Sequence, residues 1–254
     1  MKGLFDLSGK TALVTGSNRG IGKAILYSLA EYGADVILHC RKPGENSESV
    51  IADIRNMGRK VKGVYADLAN LNSANQIYDQ IVEDFKLPDI VILNASMQIR
   101  NQWTQITDDE FDSQININLR SSLKLAQLFV PHMQKNKWGR LITIGSIQQI
   151  EPNKEMLVYA ATKDAVLNMV KLLAPMYAPY GVTVNNVAPG TIYTDRNKEV
   201  LANSDFHEKI INGIPVKFIG SPEDCTGTVV MLCSESSRFI TGENIFIDGG
   251  KHLL

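Results

Sequence analysis

The sequence of 254 residues predicts an α/β fold in which one doubly wound parallel sheet of seven strands carries helices on both faces. Two observations predict this fold. Short apolar runs alternate with helix-spaced apolar residues along the chain, and the runs are continuously apolar, as strands buried on both faces are. The predicted strands are residues 11–15, 36–39, 61–66, 90–93, 141–144, 182–187 and 245–247. No linker or low-complexity stretch interrupts the alternation, so we expect a single domain over residues 1–254.

Each element has a local justification in chain order. The run Thr11–Thr15 is closed by glycines, and apolar residues then recur at positions 21, 25, 29 and 30, which predicts a strand, a tight turn and a helix. The next five runs are followed by helical stretches in the same way. Thr107 with Glu110 has the capping-box pattern of a helix start, and Ser221 before Pro222 begins another helix ahead of the last strand. Ligands of such sheets bind beyond the carboxyl ends of the strands, where the motifs below lie.

Composition excludes several classes of function. Twenty-six basic and twenty-seven acidic residues give a formal net charge of −1, without a basic stripe that would follow a nucleic acid. No segment approaches the ~20 apolar residues of a membrane span. Cys40, Cys225 and Cys233 form no C-x-x-C pair, and the four histidines have no ligand spacing. We therefore expect no disulfide, no metal, and a reducing cytoplasmic location.

A glycine turn follows the first strand and opens the first helix. Residues 16–22 read Gly-Ser-Asn-Arg-Gly-Ile-Gly, and glycines at a helix N-terminus let a phosphate approach unpaired backbone amides. Five residues separate Gly16 from Gly22, and Lys23 is followed by Ala24, so the turn is not a P-loop. It does not match G-x-G-x-x-G either. An ordinary strand–helix turn is the alternative interpretation.

Tyr159 and Lys163 form the candidate proton-transfer pair. A spacing of four residues places them on one face of a helix, and a fixed cation beside a phenol favours phenolate. A tyrosine of this kind can exchange a proton with a carbonyl or alcohol oxygen. Ser146 ends the fifth predicted strand, where its hydroxyl can hold a substrate oxygen. The absence of G-x-S-x-G around Ser146 argues against a nucleophile. The alternatives are a packing tyrosine with a solvated lysine, and a serine that merely ends a strand.

Together these motifs resemble the short-chain dehydrogenases/reductases, single-domain oxidoreductases built on the Rossmann fold. The resemblance covers nearly the whole chain, and the order and spacing of the motifs make it specific. The matching motifs are the turn from Thr15 to Gly22, Asp67-Leu68, Asn94-Ala95, Asn118, Ser146, Tyr159, Lys163, Pro189-Gly190, Thr241-Gly242 and Asp248-Gly249-Gly250. Ser96 departs from the pattern, because the family usually has glycine after Asn-Ala. This departure puts the local backbone path in doubt.

The resemblance implies a nicotinamide cofactor along the strand ends. Asp67 and Leu68 would lie beside the adenine and Asn94 and Ala95 along the ribose side. The other implied cofactor residues are Gly16, Ser17, Asn18, Arg19, Gly20, Ile21, Gly22, Tyr159, Lys163, Pro189, Gly190, Ile192 and Thr194.

The second strand indicates which nicotinamide cofactor binds. It ends in His39-Cys40-Arg41-Lys42, with cysteine where an NAD-preferring relative would place aspartate. Arg41, with Arg19 in the glycine turn, would attract a 2′-phosphate. We therefore expect NADP(H) rather than NAD(H). The alternative is that Arg41 and Lys42 are solvated loop charges.

The resemblance also implies the catalytic roles. Hydride passes between the cofactor and a carbonyl carbon while Tyr159 exchanges a proton with the oxygen and Ser146 orients it. Lys163 would bind the nicotinamide ribose and lower the pKa of Tyr159. Asn118 would hold a water that links Lys163 to solvent, although Asn116 is the alternative assignment.

Three segments should supply the substrate contacts, namely residues 97–103, 148–156 and a lid at 191–215. Polar residues at the predicted mouth are Gln98, Arg100, Gln148, Gln149 and Asn153, and apolar ones are Met97, Trp103 and Met156. For each of them the alternative is a solvated loop residue or a packing contact. The opening residues Leu4 to Lys10 resemble members that act on sugar acids, and Arg100 can pair with a carboxylate. A sugar acid or another polar keto compound is therefore the expected substrate.

Two further interpretations stay open. One is a 3-oxoacyl-thioester (acyl carrier protein) reductase, and the other is a catalytically silent NADP(H)-sensing protein. The resemblance also implies a homotetramer, with helices near residues 118–133 and 159–177 at one interface.

Overall fold

The computed structural model of the protein contains one sheet of seven parallel strands. It describes residues 3–254, with the side chains of Glu199, Val200 and Phe206 left out. The strands are β1 Thr11–Thr15, β2 Asp35–Cys40, β3 Val61–Tyr65, β4 Ile90–Leu93, β5 Gly139–Ile144, β6 Val182–Pro189 and β7 Asn244–Ile247. Their order in the sheet is β3-β2-β1-β4-β5-β6-β7. The predicted fold class is confirmed, and the predicted strand ends differ from these by at most two residues.

Helices cover both faces of the sheet. They are α1 Gly20–Glu31, α2 Glu45–Asn56, α3 Ser73–Asp84, α4 Asp108–Gln114, α5 Ser121–Asn136, α6 Leu157–Tyr177, α7 Lys198–Leu201, α8 Ser204–Asn212 and α9 Thr226–Cys233. One core layer lies under α1, α2 and α9, and the other lies under α3, α5 and α6. In β1, Ala12 and Val14 face the first layer and Leu13 faces the second, because successive side chains of a strand point to opposite faces. Among the described helices, none has the length and apolar content that crossing a membrane requires.

The two predicted helix starts are formed by the predicted residues. At α4 the Glu110 amide donates to Thr107 Oγ1 (3.2 Å), and the Thr107 amide donates to Glu110 Oε2 (3.0 Å). At the other start the Ser221 amide donates to Asp224 Oδ2 (2.6 Å), in a 3₁₀ turn that leads into α9. Both starts thus use the side chain three residues on to satisfy a backbone donor.

Two segments differ from the prediction. The helix around Asn118 is not uniform, because a π-helical segment, Ile115–Arg120, joins α4 to α5 and the Ser121 amide donates to the Asn116 carbonyl. The predicted lid at 191–215 is not a plain loop, since it contains α7 and α8. Both departures lie beside the carboxyl ends of the strands.

Sheet order places a crevice at the carboxyl end of β1. This strand pairs with β2 on one side and with β4 on the other, so the chain reverses direction across the sheet there. At such a switch point the connections leave on opposite faces and open a ligand site. The glycine turn after β1 and the loop after β4 border this crevice.

Candidate active site

The glycine turn is closed by contacts that leave no room for a side chain. Asn94, just after β4, donates Nδ2 to the carbonyls of Thr15 (2.8 Å) and Gly16 (3.1 Å). A Cβ added at Gly22 would lie 2.4 Å from Asn94 Nδ2 and 2.4 Å from the Gly16 carbonyl. Gly16 and Gly20 adopt φ of 64° and 55°, a region that favours glycine. The turn therefore requires glycine at these positions for local physical reasons.

His39 and Ser17 hold the turn against β2. The Gly16 amide donates to His39 Nδ1 (3.2 Å), and His39 Nε2 lies 3.1 Å from the Ala66 carbonyl, so the neutral ring carries its proton on Nε2. Burial lowers the pKa of His39 to about 4, against opposing effects of the Ala66 hydrogen bond and the Asp67 charge. Ser17 is fully buried and donates to the Val14 carbonyl (2.8 Å). Its side chain anchors the turn and does not line the cleft, contrary to its predicted place among the cofactor residues.

A cleft of about 990 Å³ runs along the carboxyl ends of the strands. It is lined by all the other residues predicted to bind cofactor. They are Gly16, Asn18, Arg19, Gly20, Ile21, Gly22, Arg41, Asp67, Leu68, Asn94, Ala95, Tyr159, Lys163, Pro189, Gly190, Ile192 and Thr194. Its volume is in the upper part of the range typical of small-molecule and cofactor sites.

One end of the cleft is cationic. Arg19, Arg41 and Lys42 line it, together with the carboxylate of Glu45. None of the three cations forms an ion pair with a carboxylate whose side chain the structure describes. The end of the cleft beside β2 therefore presents unpaired positive charge.

The opposite part of the cleft contains the predicted proton-transfer pair. Tyr159 and Lys163 lie on α6 and are 6% and 5% exposed. Lys163 Nζ donates to the Ile144 carbonyl at the end of β5 (2.6 Å) and lies 5.5 Å from the centre of the Tyr159 ring. Ser146 follows β5 and lines the same cleft, and its Oγ accepts from the Gln148 amide (3.2 Å). The three predicted side chains thus meet at one place.

A second cation acts on the phenol from the segment between β6 and α7. Burial raises the pKa of Tyr159, while the charge of Arg196 and hydrogen bonding by Ser146 and Arg196 lower it. Burial and, secondarily, the Arg196 charge lower the pKa of Lys163 to about 7. The Lys163 ammonium donates to the Ile144 carbonyl, and its expected effect on the pKa of Tyr159 stays a prediction.

Asn118 is buried beside the cleft and does not line it. Its Oδ1 accepts from the Met97 amide (2.8 Å), and its Nδ2 donates to the Met97 carbonyl (2.9 Å) and to Thr162 Oγ1 (3.0 Å). The side chain therefore ties the loop after β4 to α6, next to Lys163. Asn116 instead accepts from Arg120 Nε (2.9 Å) in an exposed contact. The water relay through Asn118 remains a prediction.

Gln149, one of the residues predicted at the mouth, does not line the cleft and instead joins the segments that carry Ser146 and Lys163. Its Oε1 accepts from the Ser146 amide (3.3 Å) and from Asn186 Nδ2 (3.2 Å), and its Nε2 donates to the Lys163 carbonyl (2.9 Å). Asn186 is fully buried in β6. Two consecutive asparagines in an otherwise apolar strand are the sequence signal that indicates such a network.

The chain matches known proteins along almost its whole length. A family model described as enoyl-(acyl carrier protein) reductase matches residues 16–252. The chain belongs to the short-chain dehydrogenase/reductase family. It is an oxidoreductase, as the predicted resemblance implied.

The relatives of this short-chain dehydrogenase/reductase include 3-oxoacyl-(acyl-carrier-protein) reductases and a dehydrogenase named for a sugar acid. The 3-oxoacyl-(acyl-carrier-protein) reductase FabG of Staphylococcus epidermidis is 31% identical over 96% of this chain and 99% of its own. The 2-dehydro-3-deoxy-D-gluconate 5-dehydrogenase of Pseudoalteromonas atlantica is 32% identical over 97% of both chains. Among solved structures, a 3-oxoacyl-(acyl-carrier-protein) reductase of Agrobacterium tumefaciens C58 with NADP bound is 37% identical, with a TM-score of 0.93 over 98% of this chain and 96% of that one.

The family departure at Ser96 has a partner in the lid. Arg196 Nη2 donates to the Ser96 carbonyl (2.8 Å) and to Ser96 Oγ (3.1 Å). Ser96 is not among the described non-glycine residues with positive φ, so the chain accepts a side chain there without strain. Sequence reasoning named the segment 191–215 as a candidate lid but missed Arg196, for which the only signal was an arginine within that segment.

The predicted mouth is formed only in part. Met97, Gln98, Arg100, Gln148 and Met156 line the cleft. Trp103 and Asn153 do not line it, and Trp103 is 70% exposed.

Proposed function

We propose that this oxidoreductase uses NADP(H) to interconvert a carbonyl and a secondary alcohol, with Tyr159 as the general acid/base. The observation that carries the proposal is the meeting of Ser146, Tyr159 and Lys163 at the buried part of a cleft whose other end is cationic. The Agrobacterium tumefaciens relative contains NADP in its structure. Unpaired Arg41 and Lys42 favour a 2′-phosphate over the free hydroxyl of NAD.

The residues present fit this cofactor. The glycine turn excludes any Cβ at Gly22 and opens α1, whose first amides suit a pyrophosphate. Asp67 and Leu68 would border the adenine, and Pro189 and Gly190 the nicotinamide side. When bound, NADPH supplies the hydride.

The chain itself supplies the proton and the orientation. Ser146 Oγ and the Tyr159 hydroxyl would bind the carbonyl oxygen, and Tyr159 would donate its proton as negative charge develops there. Lys163, whose pKa is lowered to about 7, is placed to return a proton near neutral pH. Asn118 and Gln149 are positioning residues that would not touch the substrate. Asn118 fixes α6, and Gln149 fixes Ser146 relative to α6. In the oxidative direction each proton moves the opposite way.

A polar keto compound such as a sugar acid is the proposed substrate. Arg100 lines the cleft, and one group of relatives is named for an oxidised sugar acid. The second candidate, a 3-oxoacyl-thioester reductase, is supported by the names of other relatives. An NADP(H) sensor is disfavoured because a sensor has no need of an assembled proton-transfer group.

We also propose one domain over residues 1–254, a lid at 191–215, a cytoplasmic location and a homotetramer. Residues 1 and 2 lie outside the described part, as do three side chains of the lid. Support for the homotetramer comes from apolar side chains exposed on the predicted interface helices. On α6, Leu172 and Met176 are 61% and 60% exposed, and Leu123 on α5 is also exposed. A second copy of the chain would cover them.

The test is an NADPH-oxidation screen over ketoses, keto acids, acetoacetyl thioesters and simple ketones. We expect Tyr159→Phe to lower kcat about 10³-fold while NADPH still binds, because only the acid is lost. Tyr180→Phe is the matched control, since Tyr180 does not line the cleft and is 42% exposed. Activity of Tyr159→Phe within tenfold of the wild type would refute the assignment. NADPH binding without turnover of any compound would support the sensor instead.

A further inference from the structure

Arg196 is an unneutralised cation at the substrate end of the cleft. It extends from the segment between β6 and α7 and lines the cleft with Ser146 and Tyr159. Among the carboxylates whose side chains the structure describes, none forms an ion pair with it. Asp195, its neighbour in the chain, lines the cleft without pairing with it. A charge left unpaired at a binding surface is available to a ligand of opposite charge.

Part of the hydrogen-bonding capacity of Arg196 is unused on the described residues. Its two donor contacts to Ser96, at the carbonyl and at Oγ, both come from Nη2. A guanidinium has five N–H donors in a planar fork, which matches the two oxygens of a carboxylate. Ser96 thus steadies the guanidinium through Nη2, a further donor serves Tyr159, and the remaining donors are left for a ligand.

Arg196 also acts at the reacting centre. Arg196 and Tyr159 line the same cleft, and the guanidinium, held on Ser96, adds charge and hydrogen bonding that lower the pKa of the Tyr159 phenol. Two consecutive hydrogen bonds, from the guanidinium to the phenol and from the phenol to the substrate, would place the guanidinium within roughly 6 Å of the carbonyl oxygen. An anion bound on the side of the guanidinium that faces Tyr159 would lie closer to that oxygen than the guanidinium does. A carboxylate attached one or two carbons from the carbonyl satisfies that distance.

The other cations near this point are engaged. Arg100 forms an ion pair with Glu155 (3.7 Å) and is 40% exposed at its side chain. Lys163 donates to the Ile144 carbonyl. Arg196 is therefore the better placed of the three to receive a substrate anion.

We propose that Arg196 binds the carboxylate of the substrate, and that the substrate is a short 2-oxo or 3-oxo acid or the corresponding hydroxy acid. The inference rests on the proposed function and narrows its substrate class. A 3-oxoacyl thioester has no charge at this distance from its ketone, so it would leave the guanidinium without a partner. Arg196 is thus a specificity-determining residue for the reaction.

The test compares each acid with its uncharged ester. Pyruvate and methyl pyruvate, and acetoacetate and methyl acetoacetate, are reduced with NADPH by the wild type and by Arg196→Met, Arg196→Lys, Arg100→Met and Arg55→Met. We expect Arg196→Met to lower the ratio of kcat/KM for acid over ester about 100-fold. Arg196→Lys should restore part of the ratio, because it returns the charge without the fork. Arg55, exposed on α2, is the matched control whose loss should leave the ratio unchanged.

Several outcomes would overturn the inference. Equal losses on acid and ester would show a structural role for Arg196, and a collapse of the ratio in Arg100→Met alone would place the carboxylate at Arg100. A wild type that reduces esters but not acids would refute the carboxylate assignment and leave the proposed function standing. A wild type that binds NADPH and reduces neither class, nor any ketone of the broader screen, would overturn both the inference and the proposed function.

Direct titration of the Tyr159→Phe–NADP⁺ complex with lactate and 3-hydroxybutyrate adds a readout independent of turnover. Binding unaffected by Arg196→Met would also count against the inference.

Discussion

The two ends of the cleft are built in different ways. At the end near β1 and β2, partly buried hydrogen bonds that Asn94 donates and His39 accepts fix a turn that has no space for a Cβ at Gly22. At the other end, the exposed contact between Arg196 and Ser96 joins the lid to the loop after β4. Buried contacts with strict geometry suit a cofactor shared by many relatives, whereas exposed charged contacts can change with the substrate. The cleft therefore separates a rigid cofactor end from an adjustable substrate end.

The largest expected effect is at Gly22. Its replacement by alanine places a Cβ 2.4 Å from Asn94 Nδ2 and from the Gly16 carbonyl, so the Asn94 side chain and the backbone of the turn must both move. We expect Gly22→Ala to destabilise the fold by about 3 kcal/mol and to weaken NADPH binding at least about 100-fold. Thermal unfolding and fluorescence titration with NADPH measure the two effects.

Gly227 provides the matched control for this prediction. It lies in α9 with nothing within 4 Å of an added Cβ. Gly227→Ala should keep NADPH affinity and change stability by no more than about 1 kcal/mol, in the stabilising direction. If the two alanine variants were equally stable and bound NADPH equally well, the glycine turn would tolerate a side chain at Gly22, which contradicts the prediction.

The second effect is a pH dependence that comes from His39. Burial lowers its pKa from the ordinary 6.5 to about 4, so between these values the unfolded chain binds a proton that the folded protein does not. The stabilisation is complete above pH 6.5 and is lost as the pH falls toward 4. It should amount to about 2 kcal/mol between pH 7 and pH 5. Urea unfolding at both pH values measures it, and His39→Gln should lack this part of the pH dependence. An identical pH dependence in the variant would contradict the assignment.

The third effect concerns Arg41 and the choice of cofactor. Arg41→Gln removes one cation from the end of the cleft that would face a 2′-phosphate. We expect kcat/KM for NADPH to fall about tenfold and that for NADH to change little, because NADH carries no such group. Arg55→Gln on α2 controls for a general change of surface charge. A wild type with a higher kcat/KM for NADH than for NADPH would contradict the prediction.

The smallest effect is at Ser96 in the substrate end. Ser96→Ala removes one of the two acceptors of Arg196, but the Ser96 carbonyl remains. We expect KM for an acidic substrate to rise about threefold, with kcat/KM for its methyl ester little changed. Ser96→Gly should behave like Ser96→Ala, because the described backbone of residue 96 has no positive φ. A far larger rise of KM in Ser96→Gly than in Ser96→Ala would show that a side chain at residue 96 also fixes the backbone of the loop after β4.

Sequence reasoning was accurate where the physical cause is local. Apolar runs and helical spacing gave strands and helices within a few residues, and the side chains of Ser146, Tyr159 and Lys163 meet as the spacing and resemblance predicted. It did not determine the direction of the side chains of Ser17 and Gln149, which face the interior. Polar side chains at strand ends can turn toward the cleft or toward the protein, and no local pattern distinguishes the two.

The sequence by itself determined the doubly wound sheet, the glycine turn after β1 and the residues available for proton transfer, because each depends on neighbours within one or two turns of chain. Only the tertiary structure decided which cation lies beside Tyr159 and why Asn118 is buried. Arg196 reaches the phenol across the lid, and Asn118 bonds Met97 through a π-helical segment. Both contacts join segments distant in sequence, and their energies depend on burial and distance that only the folded chain fixes.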